Sequence, residues 1–526
     1  MRGKVFILLL ILGLVNGRAQ SVDLVERYKE FQKQVKEDYD DFRMQMNLKY
    51  IEFMGKAWKL YKSYPPIPRP QEKDIEPIEF ERKDRLDNKK SGKAKRGDDD
   101  YDLRDDNKIA VKHDEKLTPF IKEGQGIDDE DKELKFDELI TVPVIDSQPK
   151  PVVPIKEKEH DGEKISFLFY KLRCDVRLNP RLKFKLKGVN ERDVMECWKT
   201  LTSMKYDNAI RDCLLLRAQY NLCDWAYLLM LEELSHTFLG ENTNEATLLM
   251  AYLFSQSGYK IRLAIDSGRL RLLFASEHLI FDNSYFVIGD EKFYTYKYKP
   301  EMTYVCEASY PSEKPLSLFF KDGMILGKDL SENRVLQSRA FPELCVNINT
   351  NKELIDFYGG YPNSKLGENP VSRWAIYASA PMNKDTKAQL YPQLIHTISG
   401  KSILEKVNML LNFVQTAFVY RYDDEVWGGD RAFFAEESLY YPYCDCEDRS
   451  ILFSRLVRDL LGLKVILVYY PGHLATAVHF TEEIKGDYII LDDRKYVVCD
   501  PTYLGAFVGE TMSGMDNSTA KVILLE

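Results

Sequence analysis

Three side chains near the C-terminus are of the types that carry out nucleophilic chemistry together. Cys446 stands where a helix is predicted to begin, His473 opens a predicted strand, and Asp500 follows a later strand. A histidine within hydrogen-bonding reach takes the proton of a thiol, and a carboxylate fixes the imidazole tautomer and stabilises its charged form. The order of these residues therefore predicts a cysteine nucleophile, a general base and an orienting acid.

The nucleophile is predicted to lie in the first turn of a helix. Asp445 is a suitable N-cap, and Asp448 follows three residues later, as in a capping box. Because the N-terminal end of a helix favours negative charge, this position is expected to lower the pKa of the thiol. The helix face that carries Cys446 also carries the predicted inward residues Ser450, Phe453, Val457 and Leu460.

The segments after this helix are predicted to be strands that deliver the other two groups. A buried strand is predicted at Lys464–Tyr470, and the Pro-Gly turn that follows makes His473 the first residue of the next strand. A hairpin is predicted from Tyr488–Leu491 and Lys495–Cys499, and it places Asp500 at a strand end. Cys444 and His479 are the alternative candidates for nucleophile and base, and the predicted element boundaries favour Cys446 and His473.

An oxyanion hole needs two donors, and the backbone N–H of Cys446 is the first. Gln415 and Trp427 are candidates for the second donor, although helix surface and core packing are their ordinary roles. The acidic run 423–425 lacks the pattern of a calcium loop, so a solvated turn is predicted there. No metal ion and no cofactor are predicted.

The C-terminal segment resembles the transglutaminase-like superfamily. The residues that carry the resemblance are Cys446, Asp448, Ser450, Leu452, Arg458, the Leu-Gly pair at 461–462 and the run Cys499-Asp500-Pro501-Thr502. The resemblance covers about residues 400–526, and it implies a papain-like fold and a thioester intermediate. One departure is Ala475, since the family often has an aromatic residue two places after the histidine. This departure concerns substrate contacts and leaves the triad intact.

An upstream segment parallels the nucleophile helix and suggests a duplication. The run from Asn242 to Ile261 aligns without a gap with the run that begins at Cys446, with glycine on glycine and lysine on lysine. Asp224–Tyr227 also echoes residues 430–433. The hypothesis is a degenerate copy of the same fold, in which Asn242, Arg269 and Lys297 replace the thiol, the histidine and the carboxylate. Such a copy is unable to perform thiol chemistry.

The N-terminal part is predicted to be non-catalytic. Arg2 and Lys4 precede an apolar run that is too short to span a bilayer, and small residues follow, so residues 1–19 are predicted to be a secretory signal. Apolar residues recur with a helical period from Val22 to Tyr61, which predicts one amphipathic helix over residues 20–63 that packs on this chain or on a partner. Proline and charge blocks predict a disordered linker over 64–163.

The predicted fold class is α+β, with a degenerate transglutaminase-like domain at 164–310 and a catalytic one at 396–526. Between them, 311–395 is predicted to be a strand-rich connecting region that includes Leu316–Phe320 and Trp374–Tyr377. The catalytic domain is predicted to open with a helix capped by Ser402 and Glu405.

Composition limits the possible partners and the compartment. The formal net charge of −9 offers no general attraction to nucleic acid or to anionic membranes. Nine cysteines at irregular intervals do not resemble a disulfide framework. The sequence predicts an exported enzyme, periplasmic or at the cell surface, that acts on amide bonds of a protein or peptide. The alternatives are a non-catalytic scaffold whose N-terminal helix docks to a cell-envelope protein, and a surface protein whose linker is the functional part.

Overall fold

The chain is seen in a computed structural model that describes residues 41–70, 131–141, 149–153, 163–203 and 205–525, together with 30, 34 and 155. The predicted signal at 1–19 lies outside these residues, as does most of the predicted linker. Among the described residues, no helix is both long enough and apolar enough to cross a membrane.

The described residues form a mixed α+β structure. The helices are α1 (41–54), α2 (Glu191–Leu201), α3 (Asp207–Gln219), α4 (Asp224–Leu239), α5 (Asn244–Gln256), α6 (Lys352–Gly359), α7 (Arg373–Ser379), α8 (Lys384–Ile398), α9 (Ile403–Thr416), α10 (Asp423–Trp427), α11 (Ala435–Tyr440) and α12 (Cys446–Leu461). The strands of the first half are β1 (Trp58–Lys62), β2 (Lys132–Glu133), β3 (Glu138–Thr141), β4 (Lys164–Phe169), β5 (Leu172–Arg177), β6 (Ile261–Asp266), β7 (Arg269–Ala275), β8 (Leu279–Ile280), β9 (Tyr285–Ile288), β10 (Glu291–Thr295) and β11 (Met302–Cys306). Those of the second half are β12 (Arg334–Gln337), β13 (Cys345–Ile348), β14 (Ser364–Lys365), β15 (Val419–Tyr420), β16 (Tyr443–Cys444), β17 (Lys464–Tyr470), β18 (His473–His479), β19 (Asp487–Leu491), β20 (Arg494–Cys499) and β21 (Lys521–Leu524).

Two large sheets organise the molecule, and their central strands share one order. The C-terminal sheet runs β2-β19-β20-β18-β17-β21-β3, and the upstream sheet runs β1-β11-β6-β7-β10-β9. Strands β19, β20, β18, β17 and β21 therefore take the same positions as β9, β10, β7, β6 and β11. Each sheet is preceded by a helix that packs on its central strands, α12 in the C-terminal half and α5 upstream. The predicted duplication requires this common strand order.

One part of the sequence echo does not correspond in three dimensions. Asp224–Tyr227 forms the first turn of α4, whereas residues 430–433 are an irregular segment before α11. The two tetrapeptides are therefore similar in sequence only, since one begins a helix and the other lies in a loop.

The prediction of one N-terminal helix over 20–63 is wrong at its C-terminal end. Helix α1 stops at residue 54, and Trp58–Lys62 pairs instead as β1 with the edge strand β11. The predicted apolar stripe included Phe42, Tyr50 and Phe53, and it is buried only in part. Tyr50 is buried, whereas Phe42 and Phe53 are exposed, and Met54 is buried although it lies outside the stripe. Tyr50 stacks on Tyr310 with ring centroids 4.1 Å apart, so this part of the helix packs on its own chain.

The prediction of a disordered linker over 64–163 is wrong for residues 64–70, where Tyr64 bridges to Tyr285, and for 149–153, where Val152 and Val153 are buried. It is also wrong for residues 131–141. Strand β2 pairs parallel with β19 and β3 pairs parallel with β21, so this segment occupies both edges of the C-terminal sheet. Leu134 is buried between them, and an open strand edge offers unpaired backbone groups that such a segment can satisfy.

The prediction of a strand-rich region over 311–395 is also wrong. Trp374–Tyr377 lies inside helix α7, and Leu316–Phe320 forms an isolated bridge at Leu316 in place of a strand. The described elements of this region are the three helices α6, α7 and α8 and the three short strands β12, β13 and β14. Trp374 and its neighbours are nearly all buried. The run is therefore apolar throughout, and it lacks the alternation of apolar and polar residues that would distinguish a strand from a helix. By contrast, the capping box of Ser402 and Glu405 at the start of α9 is confirmed.

Candidate active site

His473 and Asp500 form a buried hydrogen-bonded pair. His473 Nε2 lies 2.8 Å from Asp500 Oδ2, and the two side chains are 3% and 2% exposed. The pair is built by neighbouring strands, since His473 opens β18 and Asp500 directly follows β20, which pairs with β18. Because Nε2 faces the carboxylate, Nδ1 is the ring nitrogen left for proton exchange.

The position of Asp500 is set by its own turn and by helix α9. Asp500 Oδ1 accepts hydrogen bonds from the backbone N–H groups of Thr502 at 2.9 Å and Tyr503 at 3.1 Å. Gln415 Nε2 donates to the carbonyl oxygens of Asp500 at 3.0 Å and Ala506 at 3.1 Å. The side-chain amide of Gln415 is thus occupied in holding the acid loop, and the prediction that it donates to an oxyanion is wrong.

Cys446 is the first residue of α12, and this helix start is held against β18. The Asp448 carboxylate accepts a hydrogen bond from the backbone N–H of Asp445 at 3.3 Å. Ser450 Oγ donates to the carbonyl oxygen of Leu474 at 2.7 Å. The backbone N–H of Leu474 in turn donates to the sulfur of Cys446. The thiol therefore contacts the residue next to His473.

The thiol is directed at an acid rather than at the imidazole. Cys446 Sγ donates to Glu447 Oε2 at 3.2 Å, and His473 is not among its hydrogen-bond partners in the described part of the chain. Burial raises the pKa of Cys446 well above its usual value, and the charges of Glu447 and Asp445 raise it further. The expected lowering of this pKa is wrong, because desolvation and two adjacent acids outweigh the helix N-terminal field.

The rival candidates lie elsewhere. His479 ends the same strand that His473 begins, about 20 Å away at the usual rise of a strand, and its Nδ1 faces the carbonyl oxygen of Lys495 at 3.0 Å. Cys444 is buried in strand β16, which pairs with β15.

Several aromatic side chains lie near the start of α12. Trp427 ends α10, where it packs against Tyr441 with centroids 4.8 Å apart and below the guanidinium of Arg431. These contacts give Trp427 a packing role. Tyr420 and Tyr422 were not singled out from the sequence. Burial first, and then the negative charge that Cys446 carries when ionised, raises the pKa of both phenols, so both lie near the sulfur.

A cluster of carboxylates lies behind the thiol. Oxygens of Asp423, Asp445 and Asp448 lie within 4.8 Å of one another, and those of Asp423, Asp430 and Glu447 do so as well. The predicted solvated turn at 423–425 is therefore wrong for Asp423, which is 9% exposed and accepts from the backbone N–H of Arg431. Burial, followed by the charge of Glu447, raises the pKa of Asp423 to about 8. The sequence signal for this cluster is the run of acids around Cys446.

The corresponding place in the upstream half has no nucleophile. Asn242 has a left-handed backbone, φ 56°, and lies before the helix, so it does not take the position of the thiol. Asn244 takes it instead. It is the first residue of α5, and its Oδ1 accepts from the backbone N–H of Leu270 at 2.9 Å, as the sulfur does from Leu474. The gapless alignment failed because α5 begins two residues later than it implied.

The other two upstream positions agree with the predicted correspondence. Arg269 is the first residue of β7, as His473 is of β18. The backbone N–H of Tyr296 donates to the Leu272 carbonyl at 3.2 Å, which continues the pairing of β10 with β7. In this register Lys297 follows β10 at the position that Asp500 has after β20. Lys297 Nζ is paired with Glu232 Oε2 at 2.6 Å. An amide, a guanidinium and an ammonium group thus stand where the other site has its thiol, imidazole and carboxylate.

Comparisons of this chain with protein-family models, with curated proteins and with solved structures found no match.

Proposed function

We propose that the chain is an exported cysteine enzyme that attacks amide bonds of a protein or peptide, and that its C-terminal part is a transglutaminase-like domain with a papain-like fold. The observation that carries the proposal is the buried His473–Asp500 pair on the strand whose next residue, Leu474, contacts the sulfur of Cys446. A hydrogen-bonded carboxylate that orients an imidazole has a specific use when a nucleophile is adjacent.

In the first step the thiol exchanges its hydrogen bond to Glu447 for one to His473. In the resting arrangement the S–H group is held by Glu447, and rotation of the side chain toward His473 Nδ1 allows proton transfer to the imidazole. Catalytic hydrogen bonds are often incomplete before substrate binds. Asp500 then stabilises the imidazolium through Nε2.

The thiolate forms a bond to the amide carbonyl carbon, and the backbone N–H of Cys446 is placed to donate to the resulting oxyanion. Collapse of this intermediate breaks the C–N bond, His473 gives its proton to the leaving amine, and a thioester remains. Water or a second amine attacks the thioester with His473 as the base, which releases the acid or a new amide and restores the thiol. Hydrolysis is favoured where water has access to the thioester.

The test is covalent trapping. The full chain is treated with a peptidyl electrophile that mimics an amide, and the adduct is located by mass mapping. We expect one adduct per chain at Cys446, about 100-fold slower labelling of His473→Ala, and unchanged labelling of Cys444→Ala, which removes the neighbouring buried thiol. Labelling spread over several cysteines, or an equal rate in His473→Ala, would refute the proposal.

A second candidate function is a non-catalytic binding protein. Two observations favour it. The thiol is hydrogen-bonded to Glu447 rather than to His473, and the corresponding position of the upstream half holds Asn244, which is no nucleophile. In that case Cys446 reacts with the electrophile no faster than a free cysteine in an unfolded peptide, and Cys446→Ala leaves the biological activity of the protein unchanged.

A further inference from the structure

We infer that a small polar pocket between Arg69 and helix α7 binds one carboxylate group of the substrate, so that the enzyme prefers amide bonds close to an acidic group. This inference rests on the proposed function and adds a substrate class to it. The walls of the pocket come from segments far apart in sequence, represented by Arg69, Phe281, Ser364 and Asp430. The space between them is about 250 Å³ with the mouth included, which suits a group of a few atoms.

The pocket offers hydrogen-bond donors that the described part of the chain does not use. Ser364 is 2% exposed, and its Oγ has no hydrogen-bond partner there. Tyr377 Oη donates to Asn363 Oδ1 at 2.9 Å, whereas Asn363 Nδ2 donates to none of the described residues. Buried polar groups are normally hydrogen-bonded, so an unpaired one calls for a partner. Because both groups can donate, the matching ligand presents acceptor oxygens.

The charge of the pocket favours an anionic acceptor. Arg373 pairs with Asp430 through both Nη atoms, which balances the carboxylate that lines the pocket. Arg69 Nε pairs with Asp282 at 2.9 Å, but the Asp282 side chain is 53% exposed and solvent screens this pair. Arg69 Nη1 donates to the backbone carbonyl of Asp430 at 2.7 Å, which leaves Nη2 for a ligand. An N–H of a guanidinium forms a strong, charge-assisted hydrogen bond with a carboxylate.

Arg373 also acts on the acids that lie beyond Asp430. Burial raises the pKa of Asp430, and the charge of Arg373 opposes this rise. The same charge acts on Asp423. The guanidinium of Arg373 is therefore close to both carboxylates and reduces their repulsion of a further anion.

Glu447 connects the pocket to the proposed nucleophile. One of its carboxylate oxygens lies within 4.8 Å of an oxygen of Asp430, and its Oε2 accepts from Cys446 Sγ at 3.2 Å. An extended peptide advances about 3.3 Å per residue, so a carboxylate in the pocket belongs to a residue about two to four positions from the attacked amide. Either an acidic side chain or the C-terminal carboxylate of a peptide meets this requirement.

The experiment measures peptide binding by the full chain carrying Cys446→Ala, so the result does not depend on catalysis. Three probes are compared by ligand-observed NMR: acetyl-Ala-Ala-Glu-amide, acetyl-Ala-Ala-Gln with a free C-terminus, and the neutral acetyl-Ala-Ala-Gln-amide. We expect at least one of the two carboxylate peptides to bind about fivefold more tightly than the neutral peptide or better. The one that does identifies the source of the carboxylate, side chain or chain end.

Two variants locate the site. Ser364→Ala and Arg69→Gln should each remove most of the preference for a carboxylate. Ser364→Ala should leave the melting temperature unchanged or raise it, because its Oγ has no partner to lose, so unfolding would not explain weaker binding. Arg421→Gln is the matched control, since it removes a 45% exposed arginine outside the pocket and should keep the preference.

Equal affinity for the three peptides, no binding of any of them at about 10 mM, or an unchanged preference in both pocket variants would overturn the site. Covalent trapping of Cys446 in the unaltered chain would stand in each of these cases. Peptide binding without trapping would instead refute the enzymatic function and leave the pocket, so the two failures are distinguishable.

Discussion

At the scale of single residues, the proposed nucleophile shows how burial competes with a helix terminus. Cys446 has the position at which a helix lowers the pKa of a thiol, yet it is 9% exposed and contacts Glu447. Loss of hydration disfavours the thiolate, and the neighbouring acids add to this effect. In the proposed mechanism, activation of the thiol therefore depends on the imidazole of His473 and on protonation or neutralisation of the acids around the sulfur.

The first prediction concerns the orientation of that imidazole. Asp500→Asn keeps an oxygen for the backbone N–H groups of Thr502 and Tyr503 but presents an N–H to His473 Nε2. Nε2 must then accept, so Nδ1 carries the proton and is unable to take another from Cys446. We expect kcat to fall about 10³- to 10⁴-fold with little change in KM.

Steady-state kinetics on a peptide amide, combined with an unchanged melting temperature, checks this prediction. Asp492→Asn, at the turn between β19 and β20, is the control and should leave kcat unchanged. A loss of kcat below tenfold in Asp500→Asn would mean that the pair does not orient the base.

At the scale of elements, helix α11 carries a buried acid that links two parts of the chain. Glu436 is 2% exposed, and its Oε1 accepts from the backbone N–H of Asn383 at 2.5 Å. Burial raises the pKa of Glu436 to about 7, and the hydrogen bond only partly opposes this. The helix is thus most stable with this side chain protonated.

The second prediction is the pH dependence that follows. The folded state holds the proton of Glu436 up to about pH 7, whereas the unfolded chain releases it near the ordinary pKa of 4.5. The stabilisation of the folded state by the protonated Glu436 side chain is therefore complete below about pH 4.5. It is lost as the pH rises through 7, which lowers the free energy of unfolding by about 3 kcal/mol in total. Glu436→Gln, which keeps the acceptor oxygen, should flatten this dependence.

Denaturant unfolding of the wild type and of Glu436→Gln between pH 5 and 8 tests the prediction. The variant should be the more stable of the two at pH 8, and the difference should shrink toward pH 5. Glu425→Gln removes an exposed acid of α10 and serves as the control. Parallel curves for Glu436→Gln and the wild type would contradict the assignment.

At the scale of the whole molecule, segments far apart in sequence are joined by a few buried contacts. Residues 131–141 complete both edges of the C-terminal sheet, and β1 completes one edge of the upstream sheet. Helix α1 is tied to α3 by Arg43 and Asp207, whose side chains are 4% and 0% exposed and pair through both guanidinium Nη atoms. The N-terminal segment is therefore part of the upstream core.

The third prediction is the cost of breaking this ion pair. Arg43→Met leaves Asp207 buried without its bidentate partner, and we expect the free energy of unfolding to fall by about 3–5 kcal/mol. Adding Asp207→Asn should recover part of the loss, because the uncompensated charge is then removed. Lys56→Met removes an exposed lysine just after the same helix and should have little effect.

Circular dichroism in a denaturant series provides the measurement. Equal stability of Arg43→Met and Lys56→Met would show that α1 is not anchored through this contact.

The sequence alone determined the elements of the site and the order of its groups. An N-cap pair, a Pro-Gly turn and a hairpin are local signals, so the helix start at Cys446 and the strand ends at His473 and Asp500 follow from neighbours along the chain. The upstream sequence echo was visible for the same reason, whereas the two-residue shift that puts Asn244 at the helix start was not visible from sequence.

Only the tertiary structure decided which distant groups meet. Asp423 lies against Asp448, Gln415 holds the loop of Asp500, and residues 131–141 pair with both sheet edges. These outcomes depend on desolvation and on contacts between residues far apart in sequence, which leave no periodic pattern. The pKa of Cys446 changed direction for this reason: its helix position is local, whereas its burial and acidic surroundings are properties of the folded chain.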